Sequence, residues 1–212
     1  MAGHPIFAAI YDRMLAGNEK AGLREIRAEL IRGASGRTLE IGSGTGLNLE
    51  HYPDLVTELV LTEPDPHMAA RLRRRLEASS PPVASVEVVE ADVGELPFAD
   101  ASFDTVVSTL VLCSVPDPPR AVAELGRVLI PGGRLLYVEH VRDREGTRRV
   151  RWQDRLERPW SQLGAGCHPN RETGRLIADA FGVPEPGRGE LPGSGVDYLV
   201  RPLVSGEATR PA

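Results

Sequence analysis

Thr38-Leu39-Glu40-Ile41-Gly42-Ser43-Gly44-Thr45-Gly46 is the stretch on which the fold turns. It reads as a buried strand running into a glycine-rich bend, with Leu39 and Ile41 as its apolar side chains. Gly42, Gly44 and Gly46 let the backbone turn sharply and lie close to a bound molecule, where a Cβ would collide. Glu40 stands just before the bend. A negative charge there opposes a phosphate and suits a cationic amino-acid tail. The spacing agrees. A dinucleotide loop reads G-x-G-x-x-G, whereas the glycines here fall as G-x-G-x-G and Leu47 takes the place of the third dinucleotide glycine. No lysine follows, which excludes a P-loop.

Downstream of the bend, Leu47 to Tyr52 is expected to form a short helix before Pro53, its amides facing a ligand. Glu58 to Thr62 reads as a second strand ending at Glu63-Pro64-Asp65-Pro66. Glu63 thus sits at a strand's C-terminal end, the edge where open α/β sheets bind ligands. A carboxylate there can accept two hydrogen bonds from a ribose diol. Asp65 suits the cap of the next helix, with Pro66 as its first residue. That helix spans 66 to 78, with Met68, Leu72 and Leu76 inward. Arg71, Arg73, Arg74 and Arg75 read as a solvated face rather than a nucleic-acid patch.

Val86 to Val89 is a third strand. Asp92 follows it, placed to accept from an adenine amino group, with Val93 packing on the ring. Thr105 to Val111 is a fourth, β-branched strand. Asp117-Pro118 opens a helix striped by Val122, Leu125 and Leu129, Pro131-Gly132-Gly133 breaks the chain, and Arg134 to Val141 is the fifth strand. This alternation predicts an α/β fold, a doubly wound and mostly parallel sheet. Right-handed crossovers then gather the glycine bend, Glu63, Asp92, Thr109 to Ser114 and Glu139-His140 along one edge.

Outside that core, residues 8 to 32 read as a helix with Leu23, Ile26 and Leu30 on one stripe. Tyr11 and Met14 precede the stripe. Two roles fit this segment, a packing arm on the sheet or a cover over the ligand mouth with Tyr11 lending its hydroxyl. Residues 142 to 170 form an insertion in which Trp152, Leu156 and Trp160 fall at i, i+4 and i+8. They suit a lid over an acceptor pocket and equally a structural cap. Five arginines beside those aromatics add a third reading, weak contact with a lipid surface.

Composition sets the outer limits. At 212 residues and 41% hydrophobic content the chain is long enough for one domain with a full core. Its expected parts are a helical cover (1–35), a binding core (36–141), the insertion (142–170), a last helix with C-terminal strands (171–204) and a loose tail (205–212). The net charge of −5 argues against non-specific nucleic-acid binding. The apolar run from Ile6 to Tyr11 is too short for a signal sequence or a membrane span. Two cysteines, Cys113 and Cys167, make neither a disulfide framework nor a metal cluster, so no metal is expected and the compartment is read as cytoplasmic. Cys113 reads as a pocket-wall or core residue. His140 is the candidate catalytic base, because imidazole titrates near neutrality at a strand's end. A wall residue that only orients substrate fits it as well. The sequence leaves the oligomeric state open.

These residues carry a family resemblance. Leu39 to Gly46, Leu96-Pro97-Phe98 with Ser102-Phe103-Asp104, and Leu129-Ile130-Pro131-Gly132-Gly133 resemble class I S-adenosylmethionine-dependent methyltransferases of the type-11 kind, over about residues 7 to 204. Thr109 to Val115, Glu139-His140-Val141 and Gly166-Cys167 with Arg171-Glu172-Thr173 are similar to the thiol S-methyltransferase branch. That branch implies a small lipophilic thiol as acceptor. The Tyr11-Asp12 start and the Gly46 to Pro53 stretch resemble bacterial phosphatidylethanolamine N-methyltransferases. The resemblance implies S-adenosylmethionine as cofactor and S-adenosylhomocysteine as product. It gives Gly42, Ser43, Gly44 and Gly46 to the methionine moiety and Glu63, with Pro64 beside it, to the ribose. Asp92 and Val93 would hold the adenine, and Thr109-Leu110 would line the sulfonium side. It also implies seven strands, closing in an antiparallel hairpin near 187–203, within which Val196 to Val200 reads as a strand on its own. Tyr11, Cys113, His140 and Trp152 would then line the pocket of a small-molecule acceptor.

Overall fold

Leu39 and Ile41 alternate with Thr38 and Glu40, and all four are buried, as a strand covered on both faces requires. This is β1 (Gly36–Ile41) of a computed structural model that describes residues 4–79, 81–191 and 196–212. The other strands are β2 (Val56–Thr62), β3 (Val86–Val89), β4 (Phe103–Thr109), β5 (Leu129–His140), β6 (Arg188–Glu190) and β7 (Pro202–Thr209). They form one seven-stranded sheet in the order β3-β2-β1-β4-β5-β7-β6. The first five run parallel, and β7 lies antiparallel between β5 and β6. The chain leaves β1 towards β2 and β3, then returns to the other side of β1 for β4. That reversal puts the topological switch, and so the ligand crevice, at the end of β1.

Helices cover both faces. α2 (Arg24–Ile31) and α3 (Pro66–Ala78) pack Ile31 and Leu72 against Leu59, Leu61, Val107 and Leu136. On the other face, α4 (Pro118–Val128) and α6 (Thr173–Phe181) pack Val122, Leu125, Ile177 and Phe181 against Leu39, Val106 and Leu135. α1 (Pro5–Asn18) and α5 (Arg148–Leu163) lie at the rim. Caps fix the starts of α3 and α4. Asp65 Oδ1 accepts from the N–H of His67 at 2.8 Å, and Asp117 Oδ1 from that of Arg120 at 3.1 Å, each with proline following. Among the described residues no helix is long and apolar enough to cross a membrane.

Several expectations need correction. The helix expected over 8–32 is broken by a wide turn, Glu19–Leu23, because Gly22 adopts φ 128°, which a side chain resists. Its buried face is Leu23, Arg27 and Ile31, with Ile26 and Leu30 only partly covered. After the glycine bend only a single tight turn forms, Leu49–His51. The segment from residue 90 to 102, between β3 and β4, contains no helix. β4 ends at Thr109, not Val111, since Leu110 takes φ +60°. Val196–Val200 is a 3₁₀ turn rather than a strand. The supposedly loose tail continues β7 to Thr209, paired with Arg134, and its Ala208 is buried. Gly206 permits this, because a Cβ there would lie 3.1 Å from the Tyr137 hydroxyl. Residues 192–195, inside the expected hairpin, lie outside the described residues.

Candidate active site

The C-terminal ends of β1 to β5 open onto a cavity of about 630 Å³. Gly42 and Gly44 line it beside β1, Glu63 to Asp65 follow β2, Ala91 to Val93 follow β3, Leu110, Val111 and Cys113 to Pro116 follow β4, and His140 ends β5. Phe7, Tyr11 and Met14 of α1 cover it. Trp160 of α5, with Gly164, Ala165 and Cys167, closes the far end. α1 is tied down over the bend through Asp12, whose carboxylate accepts from Thr45 Oγ1 at 2.5 Å and pairs with Arg75 at 2.6 Å.

The three glycines divide the work. A Cβ on Gly42 would lie 2.7 Å from Val111, and one on Gly46 would lie 2.7 Å from Leu72. Those two let the bend pack against its own protein. At Gly44 (φ +57°) the nearest atom would be Tyr11 at 3.8 Å, so this glycine faces the cavity. Its N–H donates to Glu63 Oε2 at 2.8 Å, and the N–H of Asp65 donates to Oε1 at 2.9 Å. Burial raises the Glu63 carboxyl above its ordinary range, and those two hydrogen bonds act against the rise. Asp92 lines the cavity and accepts from the N–H of Gly94 at 2.7 Å.

Behind the bend lies a polar cluster. Asn48 Nδ2 donates to Glu40 Oε1 at 3.0 Å and Tyr52 donates to Oε2 at 2.6 Å. Buried Arg27 donates to Asn48 Oδ1 and to Thr109 Oγ1, both at 3.0 Å, and to Glu19 at 3.0 Å. Burial pushes the Glu40 carboxyl up to about 7, against its hydrogen bonds and the nearby Arg27. Desolvation pushes the Tyr11 phenol to about 12.

At the far end, Glu139 organises the turn after β4. Its carboxylate accepts from Ser108 Oγ at 2.6 Å and from the N–H groups of Val111 at 3.2 Å and Leu112 at 3.0 Å. This holds Leu110 in its unusual left-handed conformation and points the following segment at the cavity. Cys113, His140 and Cys167 meet there, their ligating atoms all within 4.8 Å of one another. Burial lowers the His140 pKa to about 4, so the imidazole is neutral at physiological pH. The nearness of the two thiols, with burial added, drives Cys113 well above its ordinary range, and the same nearness draws Cys167 below it.

The methyltransferase domain family matches residues 39–137. Thiol S-methyltransferase TMT1B of Rattus norvegicus is 35% identical over 161 residues, covering 74% of this chain and 66% of the relative. Thiol S-methyltransferase TMT1A of Homo sapiens is 34% identical over 178 residues, covering 82% of this chain and 71% of the relative. The chain belongs to the S-adenosylmethionine-dependent methyltransferases. It spans about two thirds of the length of the rat relative. A solved Thermotoga maritima methyltransferase shares the fold with a TM-score of 0.64 at 24% identity, covering 97% of this chain and 98% of that one.

The cofactor of this methyltransferase is S-adenosylmethionine, and the cavity suits it. Gly44 offers bare backbone, Glu63 keeps free lone pairs for a diol, and Asp92 and Val93 stand one strand further along. The structure brings Gly42, Gly44, Glu63, Pro64, Asp92, Val93, Leu110, Tyr11, Cys113 and His140 onto one cavity. Other expected residues fall elsewhere. Glu40, Ser43 and Thr109 border only a small polar recess behind the bend, because their polar atoms serve the Arg27–Asn48–Tyr52 cluster and the bend itself. Gly46 packs under the bend. Trp152 is 49% exposed and does not line the cavity, since α5 buries Arg149, Val150 and Gln153 instead. Sequence reading missed Arg27, Asn48, Tyr52 and the clamp made by Glu139. It also missed Cys167 as the neighbour of Cys113 and His140. No local pattern marks these contacts, which join residues up to 82 positions apart.

Proposed function

We propose that this methyltransferase methylates the sulfur of a small, apolar thiol. One observation carries the reading. Among the described residues no lysine or arginine lines the cavity, and its carboxylates, Glu63, Asp65 and Asp92, all lie on the cofactor side. The acceptor end is built from Phe7, Met14, Leu110, Trp160 and Val200. A phosphoethanolamine headgroup would need cations for its phosphate, and an ammonium acceptor would need an acid nearby. A neutral thiol needs neither. The names of the rat and human relatives, both thiol S-methyltransferases, support this choice.

S-adenosylmethionine supplies the activated methyl group when bound. The chain's own residues contribute position. Gly44, Glu63 and Asp92 fix the cofactor's two ends, and Trp160, Val200 and Leu110 confine the acceptor opposite the leaving sulfur. Such alignment supplies up to about 7–11 kcal/mol of a barrier. Neutral His140 orients the acceptor, because a ring with a pKa of about 4 is a poor acceptor for a thiol proton. Free cysteines suit a reducing, cytoplasmic setting.

The test is transfer of labelled methyl to a panel of apolar thiols, amines, phenols and phosphatidylethanolamine vesicles. Thiols are expected to accept at least tenfold faster than the other classes, on the order of 1.4 kcal/mol in transition-state binding. Faster transfer to phosphatidylethanolamine would overturn the choice.

A further inference from the structure

We infer that Cys113, His140 and Cys167 form a zinc site at the acceptor end of the cavity. The inference rests on the proposed thiol chemistry for its role, but on geometry for its existence. The three side chains come from three different segments: the turn after β4, the end of β5 and the loop after α5. Each offers one ligating atom, and these lie within 4.8 Å of one another. Zinc–sulfur bonds of about 2.3 Å and zinc–nitrogen bonds of about 2.0 Å need only slight closure of such a triangle.

The histidine is prepared for this role. His140 is buried, with 9% exposure, and its Nδ1 has no hydrogen-bond partner among the described residues. The ring also lies beside the Val200 backbone. A neutral imidazole carries a lone pair on one of its two ring nitrogens, which can bind a metal. A metal-ligating histidine commonly donates its other N–H to a carbonyl, a carboxylate or water, and the Val200 backbone is beside this ring. Unpaired buried nitrogens are costly, and a metal removes the cost.

The surroundings hold the sulfurs in place. The N–H of His168 donates to the Cys113 carbonyl at 2.8 Å, linking the two cysteine loops. Arg171 donates to the carbonyls of Leu112 and Val115, both at 2.7 Å, and its positive charge lies near both sulfurs. Two thiolates and one imidazole are the ligand set of catalytic zinc with one open position. All three residues line the cavity, so that position faces the acceptor.

The site would supply what His140 alone does not. A thiol that binds zinc loses its proton to solvent and stays as thiolate. Its lone pair forms the new sulfur–carbon bond as the sulfonium–methyl bond breaks, and that electron pair remains on the cofactor's sulfur. The product is a neutral thioether, a weaker ligand than thiolate, and it leaves.

The experiment is metal analysis of the full chain, purified under reducing conditions and dialysed against excess zinc, then against buffer. About one tightly held zinc per chain is expected. Cys113→Ser and Cys167→Ser should each weaken zinc binding by more than about 100-fold, beyond the range of outer-shell losses. Cobalt(II) added to the unaltered protein should give the near-ultraviolet absorption of a thiolate–cobalt bond, a readout independent of any variant's folding. Absence of that band, or unaltered zinc content in both serine variants, would overturn the site. So would a Cys113–Cys167 disulfide in metal-free protein that resists reduction. Thiol methylation at full rate by a zinc-free chain would overturn the role given to the zinc and leave the acceptor class standing. Bound zinc with no thiol methylated would uphold the site and reject the acceptor class.

Discussion

The backbone N–H of Gly44 donates a 2.8 Å hydrogen bond to Glu63 Oε2. This bond ties the glycine bend after β1 to the acid after β2 and aims the remaining lone pairs of Glu63 into the cavity. Glu63→Ala removes both the brace and the diol acceptor. It is expected to weaken S-adenosylhomocysteine binding about 10- to 100-fold, as loss of hydrogen bonds to a charged group implies, with less than about threefold for His140→Ala. Isothermal titration measures both. Equal losses would undo the assignment of Glu63 to the cofactor and His140 to the acceptor.

The same bend predicts an asymmetry between neighbouring glycines. Both Gly42 and Gly44 have positive φ, so alanine at either is strained by about 1–2 kcal/mol. Only at position 42 does the new Cβ also strike Val111, at 2.7 and 2.8 Å from its two methyls. A β-branched side chain has few other rotamers to adopt. Gly42→Ala should therefore lower the thermal midpoint clearly more than Gly44→Ala. The reverse order in a melting experiment would show that the bend repacks freely.

The elements that were legible in the sequence are those whose signal is local. α3 could be bounded at Pro66–Ala78 because Asp65 and Pro66 mark its start and its apolar stripe has helical spacing. β3 was equally plain as a β-branched run. The glycine bend, Glu63 and Asp92 were legible because each ends a strand, and parallel strands bring such ends together. Elements governed by distant contacts were misread. Val196–Val200 looks like a strand by composition, yet the sheet position beside β5 is filled by Pro202–Thr209. Trp152 fits a stripe with Trp160, but Gln153 is what α5 buries, donating to the carbonyls of Val141, Pro169 and Leu199. Arg27 carried no expectation from the sequence. Its partner Thr109 lies 82 positions away, and nothing near either residue announces the pairing.

Arg27 is a buried cation with 3% exposure, bonded to Glu19, Asn48 and Thr109. Arg27→Met keeps the length and removes the donors, leaving those acceptors unpaired in the interior. A loss of about 3–5 kcal/mol in unfolding free energy is expected. Urea denaturation measures it. A loss under about 1 kcal/mol would mean that water replaces the guanidinium without cost.

Two buried acids set a pH dependence. Glu40 and Glu139 are each pushed by burial from 4.5 up to about 7. Between those values the folded chain keeps protons that the unfolded chain has released. Their stabilisation is complete below about pH 4.5 and is lost as pH rises through 7. Stability should fall across this window by up to about 1.4 kcal/mol per pH unit for each retained proton. Glu40→Gln removes one such group, so its slope should be about half that of the unaltered chain. Thermal melts from pH 5 to 8 would check this, with about ±0.5 unit of tolerance on the window. Equal slopes would mean that Glu40 is ionised throughout.

Trp160 and Trp152 share a helix and differ in position. Trp160 lines the cavity and packs against Cys113, Cys167 and Val200, whereas Trp152 is 49% exposed. The Trp160 indole N–H is buried near Cys167 without a hydrogen bond of good geometry, so the ring's contribution is apolar contact rather than a polar anchor. Truncating it should widen the acceptor end and weaken acceptor binding by about 1–3 kcal/mol, on the scale of lost apolar contact. For an apolar thiol, Trp160→Ala is expected to raise KM about 5- to 100-fold, with a smaller change in kcat. Trp152→Ala should leave both within about twofold, since an exposed ring away from the cavity touches neither reactant. Steady-state kinetics on the two variants decides the matter. If Trp152→Ala raised KM as much as Trp160→Ala, the acceptor would have to reach across α5, and the cavity's far wall would be misplaced.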